Sequence, residues 1–137
     1  MSCNSAIYTV NSTNMAVTTA NQQFVTIPFG NVVRRFGQNL TLEGGAIQAR
    51  GNGYYKCDAS LTVLPTAAGS ITARLFLNGE PIPGAVATGS VTTAGNPVNL
   101  TLPPIFRICG CDCSGTLTCG VNESCTIPNF ACAVEKK

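Results

Sequence analysis

The stretch YYKCDASLTVLP, residues 54–65, changes character at every step. Tyr55, Cys57, Ala59, Leu61 and Val63 fall on one side, and Tyr54, Lys56, Asp58, Ser60 and Thr62 on the other. A period of two is the signature of a β-strand with one buried and one polar face. Cys57 therefore points into a core, as a small buried hydrophobe or as half of an internal disulfide.

Working outward, PTAAGS (65–70) turns the chain into ITARLFLNGEPIPGA (71–85), where Ile71, Ala73, Leu75 and Leu77 share a face. Asn78 and Gly79 are the preferred pair for a two-residue hairpin turn, because both tolerate positive φ. Pro81 and Pro83 cannot donate to a ladder, so the next stretch reads as an edge strand or extended loop. ATGSVTT (87–93), PVNLTLP (97–103), IFRICGCDC (105–113) and SGTLTCGV (114–121) are further strand candidates. The closing NFACAVEKK sets Phe130, Cys132 and Val134 against Asn129, Ala131, Ala133 and Glu135. Toward the N-terminus, FVTIPFG (24–30) is a short strand, and glycines punctuate residues 32–56. Residues 1–22 are polar and alternate loosely around Ile7, Val10, Met15 and Val17. They are expected to form an N-terminal arm or edge strands. About eight to ten short antiparallel strands and no helix predict an all-β jelly-roll sandwich. Its single domain is expected to span 23–137, with cysteine-rich hairpins toward the C-terminus.

Composition agrees with that class and narrows the function. Only 10% of the 137 residues are charged, the net charge is +2, and there is no histidine. The small charge implies neither nucleic acid nor membrane as a partner. No apolar run approaches the ~20 residues that span a bilayer. A surface so poor in charge favours assembly over a free monomer. The missing histidine removes the usual general base and the commonest metal ligand. The six acids, Glu43, Asp58, Glu80, Asp112, Glu123 and Glu135, are scattered, and Asp58 lies on the solvent side of its strand. The nucleophile elbow, the phosphate loop and the dinucleotide fingerprint have no counterpart here. The reading is of a protein that is not an enzyme, with no cofactor and no metal.

Eight cysteines remain, three of them at alternate positions in FRICGCDCSG (106–115). On an extended segment Cys109, Cys111 and Cys113 share a face with successive Cα atoms about 6.5–7 Å apart. That is at or beyond the reach of an unstrained disulfide, so each is better placed to bond elsewhere. Cys119, Cys125 and Cys132 are the candidate partners, with no basis in sequence for choosing among pairings. The spacing does not match paired zinc knuckles. Cys3, distant in sequence, is a candidate cross-link between subunits. The cross-link candidates are thus Cys3, Cys109, Cys111, Cys113, Cys119, Cys125 and Cys132.

GNGYYKCDASLTVLP (51–65), then ITARLFLNGEPIPGA with its Asn78–Gly79 turn, then an apolar strand at the C-terminus, resemble the C1q/TNF-like jelly roll of the bacterial and phage type. The resemblance covers residues 23–137; the cysteine block from 109 to 125 departs from it. Members are typically homotrimers packed about a threefold axis, and this texture is similar to virion surface or fibre proteins and to spore-appendage subunits. The resemblance implies a homo-oligomer, trimer or filament, exposed on a virion or a bacterial or spore surface. The partners it implies are further copies of the chain, and beyond them a capsid, tail or cell-surface protein. A receptor- or glycan-binding trimer is a further alternative it implies. MSCNSAIYTV has no signal-peptide pattern, so the expected route to the particle surface is synthesis in the cytoplasm and release by lysis.

Overall fold

The computed structural model describes residues 5–19, 23–51, 53–108 and 114–136, and every regular element among them is a strand. In chain order these are β1 (Ser5–Asn11), β2 (Met15–Val17), β3 (Val25–Ile27), β4 (Asn31–Phe36), β5 (Leu40–Glu43), β6 (Ala46–Arg50) and β7 (Gly53–Pro65). They continue as β8 (Gly69–Leu77), β9 (Glu80–Val91), β10 (Val98–Leu102), β11 (Ile105–Ile108), β12 (Ser114–Val121) and β13 (Cys125–Lys136). All pairings are antiparallel, in two sheets. The first runs β10-β7-β13-β1-β4, with β11 continuing the line of β10 along β7 and β2 continuing that of β1 along β13. The second runs β5-β6-β12-β8-β9, with β3 continuing β6 along β12. The expected jelly-roll sandwich is therefore the observed architecture. Strands that share a line account for the excess of short elements over the number expected.

The alternation of β7 holds along its whole length. Tyr55, Cys57, Ala59, Leu61 and Val63 are all buried, while Lys56, Asp58 and Ser60 are exposed. β13 beside it buries Phe130, Cys132 and Val134. These two strands form the floor of the core, and Ile71, Ala73 and Leu75 of β8 with Leu117 and Val121 of β12 close it from the second sheet. The hairpin turn falls where predicted, with Asn78 at φ 54° and Gly79 at φ 82°. Leu77 pairs with Glu80 across it. Asn78 is also tied to β12: its amide N–H donates to the Thr116 carbonyl at 2.9 Å, and Thr116 N–H donates to Asn78 Oδ1 at 3.0 Å. β9, with Pro81 and Pro83, lies at a sheet edge.

Residues 5–11 correct the expectation of an arm or edge strand, whereas β2 pairs with β13 alone and is an edge strand. β1 is an inner strand, held by β13 on one side and β4 on the other. Its inward side chains are Ser5, Ile7, Thr9 and Asn11, three of them polar, which conceals the alternation. The polar three are satisfied. Ser5 Oγ donates to Asn39 Oδ1 at 2.8 Å, and Asn11 Nδ2 donates to the Pro28 carbonyl at 3.2 Å. Thr9 Oγ1 donates to the Cys132 carbonyl at 3.5 Å. The edge beyond β1 is β4, all of it exposed. It carries Val33 as an extra residue where the register shifts, followed by Arg34 and Arg35. A bulge and adjacent like charges are devices that discourage edge-to-edge aggregation.

Candidate functional site

The outward side chains of the first sheet form the least ordinary surface of the described residues. Register aligns them in rows. Ile105, Lys56, Glu135, Ala6 and Phe36 make one row across β11, β7, β13, β1 and β4. Asp58, Ala133, Tyr8 and Arg34 make the next. Thr101, Ser60, Ala131, Val10 and Asn31 make a third. Large side chains stand out from this face: Ile105 is 64% exposed, Phe36 59%, Tyr54 54% and, on the inner strand β1, Tyr8 41%. Ala131 and Ala133 keep the centre low. A hollow of about 160 Å³ opens there, lined by Ala6, Tyr8, Arg34, Phe36, Ala133 and Glu135. The Arg107 guanidinium lies 5.6 Å over the Tyr54 ring, holding that ring's margin of the face in place.

The outer face of the second sheet differs. Its polar side chains pair with one another: Thr72 with Thr88 at 2.9 Å, and Gln48 Nε2 donating to Thr116 Oγ1 at 2.9 Å. Phe24 packs edge-on against Phe76 at 5.6 Å and is covered by Arg74. That face reads as solvated. The first is an apolar rim around a shallow centre, with Arg34, Lys56 and Arg107 set among Asp58 and Glu135, and such patches mark interaction surfaces. It offers no enclosed cleft and no group of three metal-ligating side chains among the described residues.

The cysteines fall into two sets. Cys3, Cys109, Cys111 and Cys113 lie outside the described residues. Cys57, Cys119, Cys125 and Cys132 are free and buried. For Cys57 this is the core position expected. For Cys119, Cys125 and Cys132 it corrects the expectation of cross-linking sulfurs: each occupies the inward phase of its strand, between Leu117 and Val121 or beside Ile127, Phe130 and Val134. Cys57 Sγ and Cys132 Sγ are 3.6 Å apart and share a hydrogen bond. Burial pushes the Cys125 thiol up to about 11 and raises Cys119 further. Cys132 is raised by its hydrogen bond with Cys57 and then by burial.

The described residues flanking the other cysteines meet at one end of the sandwich. Ser5 bonds Asn39, Asn39 Nδ2 donates to the Arg50 carbonyl at 2.6 Å, and Arg50 pairs with Ser114. Ile108 pairs with Gly53 at the same end. Sequence reasoning missed Tyr8, Arg34, Phe36 and Ile105 as partners in one surface, because only the sheet register brings these distant segments together.

Comparison with known proteins agrees with the architecture. No protein-family model matches the sequence, and no curated protein matches it. Crystal structures of murine APRIL match over 98% of this chain and 99% of theirs, at 11% identity, with TM-scores of 0.67 at pH 5.0 and 0.72 at pH 8.0. The PRD1 vertex protein P5 matches over 97% of this chain and 96% of its own, at 15% identity and a TM-score of 0.59. Likeness at such identity is likeness of fold. The chain is an all-β jelly roll of the TNF-like kind.

Proposed function

We propose that this protein is a self-assembling structural subunit displayed on a virion surface, built by packing the outer face of the first sheet against further copies of itself. The observation that carries the reading is that face, where Tyr8, Phe36, Tyr54 and Ile105 stand exposed around a low alanine floor. Burying about 800 Å² per partner is ordinary for a stable interface, and aromatic side chains are among the usual hot spots. Both signs of charge on one face let copies meet without net repulsion. A threefold homo-oligomer is what the C1q/TNF-like resemblance implies, and a phage vertex protein of the same fold supports the virion setting.

A second reading, a disulfide-linked subunit of a bacterial or spore appendage, draws on a different observation. Ser5, Ile108 and Ser114, the described residues that flank the segments bearing Cys3, Cys109, Cys111 and Cys113, gather at one end of the sandwich, which supports reading those cysteines as cross-link candidates. Electrophoresis of native material with and without reductant, with electron microscopy of the same sample, separates the two. Discrete oligomers of fixed stoichiometry support the virion reading. A polymer that dissociates only on reduction favours the appendage. A monomer in both lanes contradicts both.

A further inference from the structure

The interior thiols are unused by the proposed assembly, and their arrangement has a consequence for folding. Cys57 stands opposite Val134, and Cys132 opposite Ala59, so the two are diagonal neighbours on the central strands β7 and β13. Their sulfurs are already 3.6 Å apart. Cys119 enters the same core from β12 of the opposite sheet. All three are at most 1% exposed.

A disulfide joins Cβ atoms about 3.5–4.5 Å apart, whereas diagonal neighbours across a strand pair are separated by about 7 Å. Closing a bridge between Cys57 and Cys132 would pull β7 and β13 out of register in the middle of a close-packed layer. An adduct on any of the three sulfurs would have no space. The native sandwich holds all three as buried thiols.

We infer that the chain folds only while Cys57, Cys119 and Cys132 are free thiols, and that the finished sandwich then shields them, making folding a one-way redox gate. In the unfolded chain an oxidant such as glutathione disulfide meets accessible cysteines. One cysteine thiolate attacks it, releasing a glutathione thiolate and leaving a mixed disulfide. A second cysteine thiolate displaces the remaining glutathione. Two protein thiols have become one disulfide, and one glutathione disulfide has become two glutathiones. Any such bridge involving the three core sulfurs blocks the native packing. After folding, the same oxidant has no access to sulfurs that are at most 1% exposed. Reduced folding therefore precedes any sulfur cross-linking, which falls to cysteines outside this core.

The test unfolds the full chain in denaturant, treats one half with reductant and the other with glutathione disulfide, and dilutes both into buffer. Circular dichroism and protease resistance report the fold, and alkylation with peptide mapping reports each thiol. The reduced half is expected to refold. The oxidised half is expected to stay non-native until reductant is added. Native protein held in the same oxidant should keep Cys57, Cys119 and Cys132 alkylatable after denaturation. Recovery of the native sandwich from the oxidised half with any of the three in a disulfide overturns the inference. So does loss of those thiols from the native protein without unfolding. The variant Cys57→Ala/Cys119→Ala/Cys132→Ala, made together with Cys125→Ala because that thiol is also buried, should refold equally with and without oxidant; if it folds when reduced yet still fails when oxidised, the gate lies in other cysteines and the inference falls. If the variant cannot fold at all, the peptide map of the refolded wild type decides by the same criteria.

Discussion

The rings of Tyr55 and Phe106 lie stacked, centroids 5.3 Å apart and planes 6° from parallel. The pair joins β7 to β11 at the end of the sandwich where the Tyr55 hydroxyl donates to the carbonyls of Arg50 and Gly51, at 3.0 and 2.8 Å. One residue thus fills the core with its ring and closes the loop after β6 with its hydroxyl. Tyr55→Phe is expected to cost about 1–2 kcal/mol, the effect of leaving buried acceptors unpaired. Tyr55→Ala, which also empties the ring's space, should cost about 3–5 kcal/mol. Urea unfolding monitored by circular dichroism measures both. Equal costs for the two variants would mean that the ring contributes nothing.

The Asn78–Gly79 turn separates conformational from hydrogen-bonding effects. Asn78→Ala places a side chain poorly suited to positive φ and removes the acceptor for Thr116 N–H, an expected loss of about 1–2 kcal/mol. Asn78→Gly keeps the conformation and loses only the acceptor, so it should be the milder change. Thermal unfolding of the two variants orders them, and Ala milder than Gly would contradict the turn's assignment.

Gly30 is fixed by crowding as well as by conformation. Its φ is 94°, and a Cβ there would run into the Val10 carbonyl oxygen and Asn11 on β1, backbone that cannot yield without displacing an inner strand. Gly79, at φ 82°, has open space around it. Gly30→Ala should therefore destabilise by more than the ~1 kcal/mol of positive φ alone, and by more than Gly79→Ala. Matched denaturant titrations test the order.

Alkaline pH probes the buried thiols and Tyr55. Burial raises Cys119, Cys125 and Tyr55 above their ordinary values, and Cys132 is raised chiefly by its bond with Cys57. Between the unfolded and folded values the folded chain keeps protons that the unfolded chain has released. These groups then contribute full stability below the ordinary thiol value of 9.0 and progressively less above it, through about 11 for Cys125. Unfolding free energy in reductant should fall as pH rises from 9 to 11. A flat profile would mean that the thiols are accessible in the folded chain.

Much of the fold was legible from sequence, and what was hidden has physical causes. β7 could be read because five apolar side chains alternate with polar ones, and the Asn78–Gly79 turn because few other residues accept its backbone. β1 was obscured by Ser5, Thr9 and Asn11, polar side chains whose burial depends on partners in distant segments. Cys119, Cys125 and Cys132 looked like staples when read by spacing. Their neighbours Leu117, Val121, Ile127 and Phe130 carry the inward phase that buries them. The outward face could not be read at all, since Tyr8, Phe36, Tyr54 and Ile105 belong to four strands and become neighbours only through register.

The most direct test of self-association is sedimentation equilibrium in reductant, comparing the wild type with Tyr8→Lys/Phe36→Lys. Both positions are exposed, so folding stability should change by no more than about 0.5 kcal/mol at each. The wild type is expected to sediment as a homo-oligomer, and the variant, with the same circular dichroism spectrum, as a single chain or a markedly weaker assembly. A monomeric wild type, or a variant that assembles as tightly as the wild type, would show that this face of the first sheet is not where copies meet.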